Sequence, residues 1–184
     1  TDSTLVVVDP IPNVSFIADT LNGCAPLAVQ FTSTSNGDPN SCIWSLSNGQ
    51  TLTGCNPSYV FNQPGCFDVT LTTSINGCSA SAISSQLICI ENDPLTLFNA
   101  NPSLINQDNA TVQFFNLSSG AASYYWDFGD GNTTTSTGLV YNTYKNPGTY
   151  KVTLIVTSDL GCKDTAVYTP WYVYSLPKAN FTNN

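Results

Sequence analysis

The chain has 184 residues, of which 41% are hydrophobic and only 9% charged, and it carries a formal charge of −8. It has no Arg and no His, and its four Lys (Lys145, Lys151, Lys163, Lys178) form no basic patch for a phosphate backbone or an anionic lipid headgroup. No nucleophile–base pair can be named either, which argues against acid–base catalysis, and no apolar run approaches the length of a membrane span.

Seven Cys without a single His or a C-x-x-C pair point to disulfides in an oxidising compartment and away from a metal centre. The remaining residues are mostly Thr, Ser, Asn, Gly and Pro between short apolar runs, the pattern of a secreted, all-β chain. No helix and no bound cofactor is expected.

In chain order, Thr4-Leu5-Val6-Val7-Val8 reads as the last strand of a preceding repeat, covering residues 1–10. A first domain follows over 11–91, a second over 92–175, and residues 176–184 open a third. Three segments mark these starts: Pro12-Asn13-Val14-Ser15-Phe16, Pro94-Leu95-Thr96-Leu97-Phe98 and Pro177-Lys178-Ala179-Asn180-Phe181. Val29-Gln30-Phe31 matches Val112-Gln113-Phe114. Trp44-Ser45-Leu46-Ser47-Asn48-Gly49 precedes Trp126-Asp127-Phe128-Gly129-Asp130-Gly131 by 82 residues, and Pro64-Gly65 precedes Pro147-Gly148 by 83. A period of this size marks a tandem array. Pro in the connections, as in Asn92-Asp93-Pro94, favours a semi-rigid string.

In the strand after Pro147-Gly148, alternation turns Tyr150, Val152, Leu154 and Val156 inward, with Trp126 and Trp44 as the central core residues. Asn48-Gly49 reads as a type I′ hairpin turn. Counting outward from it pairs Ser47 with Gln50, Leu46 with Thr51 and finally Cys42 with Cys55, a rung on which a disulfide can close. Cys66 and Cys89 face each other across the last hairpin, centred between Gly77 and Cys78. Asp127 and Asp130 belong to a turn in which Asp accepts backbone N–H bonds and Gly129 and Gly131 supply positive φ, with calcium a minor alternative.

The Trp-Asp-Phe-Gly-Asp-Gly turn and the Asn146-Pro147-Gly148-Thr149-Tyr150 strand start resemble the PKD domain, an immunoglobulin-like β-sandwich. The Gly-Cys-Ala-Pro and Gly-Cys elements are similar to PKD arrays of Bacteroidota surface and gliding-type adhesins exported by type IX secretion. The resemblance implies two tandem sandwiches acting as a non-catalytic spacer or filament segment of a cell-surface adhesin. The partners it implies are neighbouring repeats of the chain and surface glycans or surface proteins.

Two other functions stand beside this one. The first is a glycan- or protein-binding module using Tyr124, Tyr168, Trp171, Tyr172 and Tyr174; the second is an accessory domain of a secreted hydrolase. In such a sandwich the first loop and the last hairpin tip lie at opposite ends. That order favours a bond from Cys24 to Cys162 over one from Cys24 to Cys78, with Gln107 or a neighbour at the Cys24 position of the second copy. Ser3, Thr20 and Thr165 lie in Asp-Ser/Thr-apolar tripeptides like the O-glycan acceptors of that phylum.

Overall fold

The computed structural model describes residues 11–36, 41–102, 105–106 and 110–179. Thr4 to Val8, Ser3, Gln107 and Phe181 lie outside them. The chain divides into two compact units, Thr1–Asn92 and Asp93–Asn184. Among the described residues both are all-β sandwiches without a helix.

In the first unit, one sheet runs β1 (Phe16–Ala18), β3 (Leu27–Ser33), β6 (Ser58–Phe61), with β3 in the centre. The facing sheet runs β2 (Asn22–Cys24), β8 (Cys78–Glu91), β7 (Gly65–Ile75), β4 (Ser41–Leu46), β5 (Thr51–Thr53). The second unit repeats the order. One sheet is β9 (Phe98–Asn101), β11 (Thr111–Asn116), β14 (Val140–Thr143). The other is β10 (Ile105–Asn106), β16 (Lys163–Tyr174), β15 (Gly148–Thr157), β12 (Ser123–Asp127), β13 (Thr133–Thr134).

Pairs are antiparallel except two. β2 runs parallel to β8 (Asn22↔Cys89, Gly23↔Ile90, Cys24↔Glu91), and β10 runs parallel to β16 (Ile105↔Val173, Asn106↔Tyr174). The Asn106 pairing makes it the counterpart of Cys24.

The cores follow from period-two alternation. In β4 every second residue (Cys42, Trp44, Leu46) is buried, and in β15 Val152, Leu154 and Val156 are fully buried. Trp44 packs between Phe16 and Phe31, each with its ring centroid 5.2 Å away. Trp126 holds the equivalent place against Phe98 at 5.1 Å and Phe114 at 5.8 Å. Burying such rings stabilises each sandwich by about 2–3 kcal/mol per side chain.

The turn chemistry departs from the sequence reading in one place. Asn48-Gly49 is not a type I′ turn. Gly49 alone has positive φ (85°), its N–H donates to Leu46 C=O, and Leu46 N–H donates to Gln50 C=O. The loop therefore has three residues, Ser47-Asn48-Gly49, and the register pairs Leu46 with Gln50 and Ser45 with Thr51, one step from the expected count. The type I′ geometry, with both central φ positive, belongs to Asn76 (48°) and Gly77 (85°) between Ile75 and Cys78. The last hairpin is thus centred between Asn76 and Gly77, not between Gly77 and Cys78. A bulge between Phe67 and Val69 restores the pairing of Cys66 with Cys89. The second unit has the matching bulge between Tyr150 and Val152.

Candidate functional site

The hairpin between β12 and β13 concentrates the acidic residues singled out above. Asp127 Oδ1 accepts the N–H of Gly129 at 2.9 Å, an Asx turn. Asp130 accepts from three N–H groups: Asn132 backbone N (3.0 Å), Asn132 Nδ2 (3.0 Å) and Asn142 Nδ2 (2.8 Å). Asn132 Nδ2 also donates to Asn142 Oδ1 at 3.0 Å. Both carboxylates therefore serve the loop. Among the described residues no group of three or more His, Cys, Asp or Glu is placed to hold a metal ion.

Gly129 is required by its surroundings. Its φ is +76°, and a Cβ there would lie 2.6 Å from Lys151 O and 2.8 Å from Lys151 N. The first unit carries Ser47 at this place, paired to Asp68 by hydrogen bonds from Ser47 N–H to Asp68 C=O and from Asp68 N–H to Ser47 Oγ. Gly131, at φ +91°, faces open space.

Below the hairpin, Tyr144 is buried and donates its hydroxyl to Phe128 C=O at 3.2 Å; burial pushes that hydroxyl well above its ordinary value. Its ring lies 4.4 Å from that of Tyr150, whose hydroxyl donates to Asn146 C=O at 2.8 Å.

The first unit contains two closed disulfides. Cys42–Cys55 has a Cα–Cα distance of 5.0 Å. It is not the opposed rung that the hairpin count expected, because Gly54 N–H donates to Cys42 C=O and the chain at Cys55 is already crossing to the other sheet. Cys55 C=O accepts from Ser33 N–H and Pro57 C=O from Phe31 N–H, both at 2.9 Å. The bond ties the two sheets together. Gly54, at φ +93°, makes the crossing possible. Cys66–Cys89 joins β7 to β8 on a directly opposed rung with Cα–Cα 4.1 Å. Cys78 carries a free thiol, so the Cys24–Cys78 alternative is not formed. Cys24 ends β2, and Cys162 is buried at the β15–β16 turn, its N–H donating to Ser158 Oγ.

The aromatic residues considered for binding separate. Trp171 is core, 2% exposed, and Tyr124 is half-buried against the same core. The bulge shifts the register, placing Trp171 opposite Tyr150 and turning it and Val173 inward, so Trp171 belongs to the core and not to a binding face. Tyr168, Tyr172 and Tyr174 remain exposed, with the Tyr172 and Tyr174 rings stacked at 6.0 Å.

Of the glycan acceptors, Thr20 is half-buried and Thr165 exposed on β16. The aspartates before them have structural partners: Asp19 Oδ1 accepts from Gln30 N–H and Asp164 Oδ2 from Thr96 N–H. The Thr96 N–H holds the Asp164 carboxyl below its usual range.

Comparison with known proteins places this geometry. The PKD domain model matches residues 7–88 and again 94–170. A carbohydrate-binding module of the β-sandwich superfamily is 40% identical over 46% of this chain and 35% of its own length, with a TM-score of 0.42. The chain therefore spans about a third of that protein. The PKD1 domain of Vibrio anguillarum Epp is 31% identical, covering 45% of this chain and 96% of its own, with a TM-score of 0.38. The PKD1 domain of the Vibrio cholerae metalloprotease PrtV is 32% identical, covering 45% and 99%, with a TM-score of 0.39. No curated protein matches the chain. With a match in each of its two sandwiches, the chain belongs to the PKD domain family and carries that domain twice.

Proposed function

We propose that this chain is a non-catalytic spacer segment of a long secreted or cell-surface adhesin or filament. The observation that carries the reading is the pair of parallel contacts, β2 with β8 and β10 with β16. In each domain an early strand is hydrogen-bonded alongside the last one. Tension along the chain loads those rungs in shear, so they must yield together, whereas the rungs of a hairpin peel one at a time. In the first domain Cys66–Cys89 fastens β7 to β8 at the rung that holds Asn22, where Cys89 N–H also donates to Leu21 C=O at 2.8 Å.

The reading includes an oxidising, extracellular location, type IX export on the adhesin resemblance, and a bond from Cys24 to Cys162 between neighbouring domains. A free Cys78 supports that bond over the Cys24–Cys78 alternative. Peptide mapping without reduction should recover Cys24 with Cys162, and recovery of Cys24 with any other partner contradicts it. For the force path, Gly23→Pro removes an N–H and fixes φ within β2. In single-molecule stretching of the Cys24→Ser, Cys162→Ser chain, where no bond bypasses the domains, it should weaken one of two unfolding events and leave the other unchanged. Equal forces before and after would overturn the spacer reading.

A second reading, a glycan- or protein-binding module or hydrolase accessory domain, draws on the stacked, exposed Tyr172 and Tyr174. Loss of a captured ligand on Tyr172→Ala would favour it.

A further inference from the structure

The second domain holds a cavity of about 270 Å³ lined by Asp130, Asn132, Lys145, Asn146 and Tyr150. The counterpart corner of the first domain is differently built. There Tyr59 packs its ring on Phe61, centroids 4.8 Å apart, and its hydroxyl accepts a hydrogen bond from Asn48 Nδ2 at 3.2 Å.

The strand register aligns Tyr59 with Asn142, since they pair with the equivalent buried valines Val29 and Val112. Four differences separate the corners. Asn142 replaces Tyr59, Asp130 replaces Asn48, Lys145 replaces Asn62 and Tyr150 replaces Phe67. The first removes a ring, and the other three add a carboxylate, an ammonium and a hydroxyl. All four open the corner or make it more polar.

The polar groups are held in place. Asn142 is 6% exposed, and both ends of its amide are engaged, by Asp130 and by Asn132. A buried amide is a costly way to fill a sandwich edge, but it fixes the two side chains that line the cavity. Tyr150 is fixed by Asn146 C=O and by the Tyr144 ring. Groups ordered before binding lose less entropy when a ligand arrives.

The chemistry of the lining defines the ligand. A hydroxyl both donates and accepts, and the cavity offers donors (Lys145 and the Asn146 amide) beside an acceptor (Asp130), with one aromatic ring. A volume just below the range typical of drug-sized ligands fits one small ring. We propose that this cavity binds a neutral polyhydroxylated ligand of single-sugar size. The proposal rests on the glycan-binding reading, for which it names a site other than the Tyr172–Tyr174 pair, and it goes beyond the spacer reading, since a domain under tension can also hold a sugar.

The test is an NMR titration of the ¹⁵N-labelled chain with glucose, galactose, mannose and N-acetylglucosamine, up to about 100 mM, where binding in the millimolar range saturates. At least one sugar should give saturable shifts at Asn132, Lys145, Asn146 and Tyr150, with the corner around Asn48 and Tyr59 unmoved. Asn142→Tyr, which restores the first domain's ring, should abolish them. Lys145→Asn is exposed and already tolerated at the equivalent place, so it should weaken binding several-fold with the remaining spectrum unchanged. No saturable shift with any of the four sugars, equal shifts in the first domain, or unaltered binding by Lys145→Asn would overturn the proposal.

Discussion

The two domains share one strand order but differ in what holds them together. The first ties β4 to the β5–β6 crossing with Cys42–Cys55 and β7 to β8 with Cys66–Cys89. The second places Tyr124 at the position equivalent to Cys42 and gathers a larger aromatic cluster, in which Phe114 contacts Phe98, Trp126, Phe128 and Trp171. Ile88 of the first core becomes Trp171 of the second. The comparison teaches that a sandwich of this size reaches stability either by covalent restraint or by a heavier core.

Reduction should separate the domains most sharply. Each bridge closes a short loop, with sequence separations of 13 and 23, and contributes about 3 kcal/mol by restraining the unfolded chain. Calorimetry under reducing conditions should show the transition of the first domain falling well below that of the second. Transitions that fall together would break the contrast.

Gly129→Ala should cost the second domain about 3 kcal/mol, because the methyl meets Lys151 backbone and the left-handed φ is strained. Gly131→Ala has the strain without the clash and should cost about 1 kcal/mol. Chemical denaturation of the two variants checks the order.

The smallest contrast concerns the core tryptophans. Trp44 Nε1 donates to Gly54 C=O at 2.9 Å, whereas Trp126 Nε1 is buried without an acceptor among the described residues. Trp44→Phe removes a hydrogen bond that Trp126→Phe does not. It should be more destabilising by about 1 kcal/mol, measured on each domain's own transition.

The repeated sandwich was legible because the features that set it are local and periodic. Alternation in β15 and the spacing of Trp44 and Trp126 depend on neighbours within a few residues. Register was less legible. Asn48-Gly49 and Asn76-Gly77 are the same dipeptide, yet only the second forms a type I′ turn; at the first, a three-residue loop places Leu52 opposite buried Trp44, where a two-residue loop would set it opposite exposed Ser45. The bulges carry no glycine signal. The positive φ of Gln86 is held by Asp68, which accepts its N–H from a strand 18 residues away. Which of the β16 aromatics turn inward was not legible for the same reason, since the bulge beside Tyr150 inverts the alternation along β16. The cavity depends on Asn142 standing where Tyr59 does, which only the two strand registers together reveal.

Single-molecule stretching of the Cys24→Ser, Cys162→Ser chain, in which no bond bypasses the domains, before and after reduction tests the account most directly. If the domains yield to tension as whole sandwiches, the first should release about 120 Å less chain while its bridges are closed, from separations of 13 and 23 residues. Reduction should lengthen that event by the same amount and leave the second domain's event unaltered. Events that keep their lengths on reduction, or gradual extension without discrete events, would contradict the account.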